Sequence, residues 1–338
     1  LLLNLIGSAS IITISLFTLH AMVSLEHLAD ELILEILSNL EHDKKALKQV
    51  ALVCSRLHRL AQPLMVRHLG LTLNNNPSSF DRFVRSVNQN PDLATMVRTI
   101  ELFWFQRGPK AHKSINALLA KLTRLRGLSL STFADTTPYQ PDFLQYNKLK
   151  DVSEVALSDT FLTIETVARF MFLDRIKVMT IEALPDQAVP AVPDSYVKAM
   201  KTSPLVDLYF NWECFLALDV LAKFLEAPEA LQRLTSPTPG TLQLTSGTRR
   251  IMTNILSPCS ISHALSPTFD SLVDLTITDR FFPIFSGHDS TRLNLHEFTR
   301  LKTCRVPANL FFHDEEAHPS RNGLYKVFPG SLEILEAS

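Results

Sequence analysis

A chain of 338 residues is long enough for one large or two modest domains, and 46% hydrophobic with 20% charged residues is an ordinary globular composition. A formal net charge of −1 leaves no electrostatic footprint for nucleic acid or an anionic membrane surface, and nine glycines are too few to favour phosphate-cradling nucleotide loops. Cys54, Cys214, Cys259 and Cys304 form no CxxC pair, which removes a paired-cysteine zinc site, and isolated cysteines of this kind point to a reducing, cytoplasmic or nuclear setting.

Residues 1–25 contain no Asp, Glu, Lys or Arg and are long enough to cross a bilayer. Three readings stay open: a membrane anchor, a secretory leader without a basic start, or a segment outside the functional protein. On the third, residues 1–24 stand apart from the fold, the functional chain starts just after Met22, and no membrane partner is expected.

Residues 25–73 read as a compact helical domain. Asp30 is placed to cap a helix whose Leu32, Ile33, Ile36, Leu37 and Leu40 follow an amphipathic rhythm. Asp43 is placed to cap a second, with Leu47, Val50, Val53 and Cys54 on one face, and a third runs from Leu57 to Leu69, kinked or restarted at Pro63. Asn74–Asn75–Asn76–Pro77 reads as a break before a domain spanning residues 78–338.

Beyond that break, apolar triplets recur at the spacing L-x-x-L-x-L. They are Val97/Ile100/Leu102, Leu125/Leu128/Leu130, Val152/Val155/Leu157, Ile176/Met179/Ile181, Leu205/Leu208/Phe210, Leu272/Leu275/Ile277 and Leu301/Cys304/Val306, with Leu332/Leu335 last. Their starts lie 28, 27, 24, 29, 67, 29 and 31 residues apart, so the long interval hides one further unit, at Leu231/Leu234 or Leu242/Leu244. Helical patterns precede most of them, over residues 114–122, 164–173, 194–200 and 216–225. One strand and one helix per interval is the rhythm of leucine-rich repeats, whose stacked units share a core and a parallel sheet on the concave face.

Leu28–Leu40 (LADELILEILSNL) and Asp43–Ala61 (DKKALKQVALVCSRLHRLA) resemble an F-box, of the kind that opens many fungal F-box proteins with trailing leucine-rich repeats. Leu28, Glu31, Leu32, Ile36, Leu37 and Leu40 match its first block and Val53–Cys54 its second. Ala29 stands where proline is usual and Leu57 where an aromatic is usual, changes that keep the site apolar while lowering the expected affinity for the adaptor. The resemblance implies an α/β solenoid: a three-helix F-box followed by an irregular leucine-rich-repeat domain. It implies a non-catalytic substrate-recognition subunit of an SCF-type cullin–RING ubiquitin ligase, bound through a Skp-type adaptor to the cullin and RING protein, without cofactor. Leu28, Leu32, Ile36, Leu37, Leu40, Val53 and Leu57 would divide between adaptor contact and the unit's own core, a division left open here. Regular repeats carry Asn at the ninth position; here Phe105, Phe133, Thr160, Leu184, Glu213, Arg280 and Asn309 stand there, so an irregular array is expected, lacking its C-terminal cap. A non-degradative F-box scaffold and a membrane-anchored repeat receptor using residues 1–25 are the alternatives.

Within each triplet the third, fifth and seventh positions point away from the core. Among them Glu101, Phe103, Glu182, Tyr209, Asp274 and Arg305, with neighbouring Trp104 and Trp212, are the expected contacts for a protein client, aromatic anchors on a face made mildly acidic by Glu101, Glu182, Asp207 and Asp274. His313, Asp314, Glu315, Glu316 and His318 read as a solvated acidic loop and not a metal site. Ser286, His288 and Asp289 lack the strand–elbow–helix setting of a nucleophile, and no enzyme motif is present.

Overall fold

A computed structural model describes residues 28–73, 78–104, 109–132, 148–159, 164–184, 201–214, 216–239, 241–244, 250–253, 255–278, 287–289, 291–311 and 326–337. The apolar segment 1–25, the break at Asn74–Pro77, the helical pattern over 194–200 and the acidic run His313–His318 lie outside them.

Three helices open the described chain: α1 (Asp30–Ser38), α2 (Lys44–Ala51) and α3 (Ser55–Arg67). Asp43 caps α2 as expected, its carboxylate accepting from the backbone N–H groups of Lys45 and Ala46 at 3.1 and 2.9 Å. Asp30 does not cap α1. Ala29 is the N-cap, and Asp30 sits in the first turn, where its carboxylate accepts from Arg56 and Arg59 of α3 at 2.7 and 2.8 Å. Val53 and Cys54 lie outside α2, which ends at Ala51; the Cys54 thiol instead caps α3 through the Leu57 N–H. Pro63 sits inside an uninterrupted α3, which stops at Arg67 and passes directly into a strand at His68, two residues before the expected helix end. Ile33, Leu37, Leu47, Ala51, Leu57, Leu60, Ala61 and Leu64 form the unit's own core, separate from the main one.

A ten-stranded sheet dominates the rest. Its first seven strands are β1 (His68–Leu73), β2 (Thr99–Trp104), β3 (Gly127–Thr132), β4 (Glu154–Asp159), β5 (Val178–Leu184), β6 (Asp207–Cys214) and β7 (Arg233–Pro237). A β8–β9 hairpin (Thr241–Leu244 with Arg250–Thr253) and strand β10 (Ile255–Leu256) then intervene before β11 (Asp274–Thr278), β12 (Gly287–His288), β13 (Thr303–Val306) and β14 (Ile334–Ala337). The sheet order β1-β2-β3-β4-β5-β6-β7-β11-β13-β14 follows the chain, and every pairing in it is parallel. β10 and β12 form a small parallel pair of their own.

The apolar triplets set the register. Ile100, Leu128, Val155, Met179, Leu208, Leu234, Leu275, Cys304 and Leu335 stand side by side across β2 to β14. All but Leu335 at the open edge are buried. The unit hidden in the long interval is Leu231/Leu234, whose strand β7 pairs with both β6 and β11, while Leu242/Leu244 belong to the hairpin. Parallel neighbours need a crossover, and among the described residues helices lie in five of the crossovers: α4 (Ser79–Gln89) and α5 (Asp92–Met96) between β1 and β2, α6 (Pro109–Leu119) between β2 and β3, α7 (Ile164–Met171) between β4 and β5, α8 (Leu218–Leu225) between β6 and β7, and α9 (Pro258–Leu265) between β7 and β11. Val167 and Phe170 of α7, Leu221 and Phe224 of α8, and Ile261 and Leu265 of α9 share one core with the inward strand residues. One sheet face is thus covered by helices, each fully buried aliphatic side chain contributing about 1.5–3 kcal/mol.

Cys304 lies in that core, and burial, with the Asp274 charge adding to it, pushes its thiol up to about 12. The folded state keeps a proton that the unfolded thiol releases near pH ~8.5. Stability from this group is therefore expected to fall as pH rises from about 9 toward 12. Urea midpoints across that range, with Cys304→Ala as reference, measure it; a wild-type loss no steeper than the variant's refutes the assignment. Among the described residues no helix is long and apolar enough to cross a membrane.

Candidate functional site

Among the described residues, two surfaces outside these cores bear on function. The first is on the three-helix unit. Helix α1 is apolar on more than one side, and its two sides have different environments. Ile33 and Leu37, one turn apart, face inward, whereas Leu32 and Ile36, also one turn apart, are each 50% exposed; Leu34, two residues from each and so on the far side of the helix from them, is 36% exposed. At the α2–α3 turn Leu52 and Val53 are 84% and 59% exposed. Burial separates the seven F-box-like positions by exposure. Leu32, Ile36 and Val53 face solvent, Leu37 and Leu57 are sealed in the small core, and Leu28 and Leu40 pack half-buried against it. Leu34 and Leu52 are exposed apolar residues that the sequence pattern did not single out.

The second surface is the sheet face that the helices leave uncovered. Residues there form parallel lines. One line runs His68, Thr99, Gly127, Glu154, Val178, Asp207, Arg233, Asp274 and Thr303 from β1 to β13. The next runs Gly70, Glu101, Ser129, Ala156, Thr180, Tyr209, Thr235, Thr276, Arg305 and Glu336.

Toward the C-terminal end the charges on this face neutralise one another. Asp207 is only 3% exposed, and Arg233 on the adjacent strand donates to both its carboxylate oxygens, Nε to Oδ1 at 2.7 Å. The hydrogen bonds and charge of Asp207 hold the Arg233 guanidinium well above its ordinary range. Partial burial, then the Asp207 charge, raise the Tyr209 hydroxyl beside them. Arg305 donates to Glu336 at 3.0 Å and lies 3.7 Å from Asp274. Asp207, Asp274 and Arg305 thus hold neighbouring strands together, and the expected acidity of this part of the face is cancelled. Asp207, Gly127 and Ser131 stand at positions that point away from the core and are nonetheless buried.

The N-terminal half differs. A shallow depression of about 370 Å³ spans β1 to β5, with Gly70, Gly127, Ser129 and Ala156 in its floor. At Gly127 a side chain has no room, since a Cβ there would lie 2.9 Å from Thr99 Cγ2. Glu101 and Glu154 border it, both exposed, and among the described residues neither makes an ion pair. Lys44 of α2 lines the rim near β1, where His68 bridges Glu41 at 2.7 Å and Thr99 at 2.6 Å. Phe103 and Glu182 are half-buried, and Glu182 falls at a register shift between β5 and its neighbours, so it leaves the line in which it was expected. The side chains of Trp104 and Trp212 lie outside the described residues.

Among the described residues no group of three His, Cys, Asp or Glu is placed to hold a metal ion. Asp289 accepts from the Thr291 N–H and hydroxyl at 2.9 and 2.6 Å, a turn interaction, and Ser286 lies outside the described residues. No family model matches the chain, and no curated protein matches its sequence.

Proposed function

We propose that this chain is a non-catalytic substrate-recognition subunit of an SCF-type cullin–RING ubiquitin ligase. In this reading residues 28–67 are an F-box that docks on a Skp-type adaptor, and the sheet domain is a degenerate leucine-rich-repeat solenoid that holds a protein client. The observation that carries it is the division of α1: the helix closes the unit's own core with Ile33 and Leu37 while presenting Leu32 and Ile36 to solvent. An apolar pair one turn apart on a helix that already has a core is the material of helix-in-groove recognition. The chain-ordered parallel sheet, one strand per 24 to 31 residues over most of its length, supports the solenoid half of the reading. Ubiquitin transfer would then gain from tethering, which raises the concentration of client lysines near the conjugating enzyme without chemistry from this chain.

Pull-down of the adaptor by wild type and by Leu32→Asp/Ile36→Asp tests this. Both positions are exposed, so the double variant is expected to fold with an unchanged circular dichroism spectrum and lose at least tenfold in adaptor recovery. Adaptor recovery equal to wild type overturns the F-box assignment.

A further inference from the structure

We infer that the depression on β1–β5 receives an extended, basic peptide segment, with cationic side chains over Glu101 and Glu154. This rests on the reading of the uncovered sheet face as the client-holding surface, and it narrows that surface to one half and one chemistry. The contrast between the two halves carries it. At β6–β14 each carboxylate on the two lines has a cation on an adjacent strand: Asp207 has Arg233, and Asp274 and Glu336 have Arg305. At β1–β5 Glu101 has Gly70 and Ser129 as its lateral neighbours, and Glu154 has Gly127 and Val178, none of which carries charge.

Gly70 makes room for a chain to lie close: it is exposed, and Glu101 Oε2, 3.9 Å from where its Cβ would be, leans over bare backbone there. Gly127 is buried under Thr99, and Glu154 Oε2 stands 3.9 Å from where its Cβ would be. Both acids are two strands and two residues apart, which puts their Cα atoms about 12 Å from each other. Side chains on one face of an extended segment recur every ~7 Å, so residues four positions apart, at ~13 Å, match that span. Lys44 at the β1 rim repels the cationic end, which sets the segment with its basic residues toward β2–β4. Potential complementarity of this kind selects partners more than it adds raw affinity, and it weakens as salt rises.

The test uses fluorescence anisotropy with the full chain and a labelled Ser/Thr peptide bearing two lysines four positions apart, against the same peptide with glutamates. The lysine peptide is expected to bind and the glutamate peptide not to. Glu101→Gln/Glu154→Gln is expected to lose about five- to tenfold in affinity, in keeping with two exposed charge pairs. Glu31→Gln/Glu35→Gln on α1, which changes net charge equally, is expected to lose less than twofold. Equal binding by wild type and Glu101→Gln/Glu154→Gln overturns the inference, as does an equal loss in the α1 control. Leu32→Asp/Ile36→Asp is expected to keep the peptide. Carboxylate-dependent peptide binding in a chain that recovers no adaptor would leave the surface standing and remove the ligase reading; intact adaptor recovery without peptide binding would do the reverse.

Discussion

Phe210→Ala is expected to destabilise the sheet domain by about 3–5 kcal/mol, measured as a fall in urea midpoint at unchanged slope. Phe210 lies on β6 at 1% exposure, its ring centroid 5.8 Å from that of Phe224 on α8, and its ladder neighbour on β5 is Ile181. Truncation removes the ring's own burial and leaves a void bounded by a strand and a helix that are each held by other contacts, so little collapse is available. Because strands pair in chain order, the damage should also be local. Hydrogen exchange in the variant is expected to rise first in β5–β7 while β2 and β3 stay protected. A loss below ~1 kcal/mol would show that the site repacks, and uniform exchange across all strands would show that the sheet behaves as a single cooperative block.

Arg233→Ala is expected to be the second large effect, at about 2–3 kcal/mol. Removing one partner of a fully buried ion pair costs about 3–5 kcal/mol, because the other charge is left without compensation. Here Asp207 is buried, but the Arg233 side chain is 56% exposed, so water screens the pair and the figure falls below that range. The physical cause makes a sharper statement than the magnitude. If the penalty is an orphaned carboxylate, Asp207→Asn placed in the Arg233→Ala background should restore part of the stability, since a neutral amide loses less on burial than a charge. A double-mutant cycle in urea reads this directly, and a double variant no more stable than Arg233→Ala would assign the loss to packing of the arginine stem instead.

Much of the sheet was legible in the sequence because its signal is periodic and redundant. Ile100, Leu128, Val155 and Met179 occupy one line of the ladder because each is the second apolar residue of a triplet, and a shift by one residue would have turned every triplet toward solvent. Strand β1 was missed for a local reason. His68–Leu73 follows α3 with no intervening turn residue, and Gly70 lies in its middle, so its first two residues fall within the helix expected over Leu57–Leu69. The three-helix unit was legible in outline but not in its facing. With Leu32, Ile33, Leu34, Ile36 and Leu37 in six residues, α1 has no single apolar stripe, and only its packing against α3 separates inward Ile33 and Leu37 from outward Leu32 and Ile36. The Asp207–Arg233 pair was out of reach because β7 was hidden in the long interval, so the strand that supplies the cation had two competing positions. Glu154 was among the outward positions, yet its isolation became evident only beside the paired charges farther along the sheet.

Arg67 is the last residue of α3 and His68 the first of β1, and His68 is tied on one side to Glu41 and on the other to Thr99. The molecule therefore has no elbow where its helical head meets its sheeted body. Under the proposed function, a segment seated on β1–β5 would sit at a fixed bearing from the docked helices, so the choice of which lysine is modified would fall to the slack in the client's own backbone.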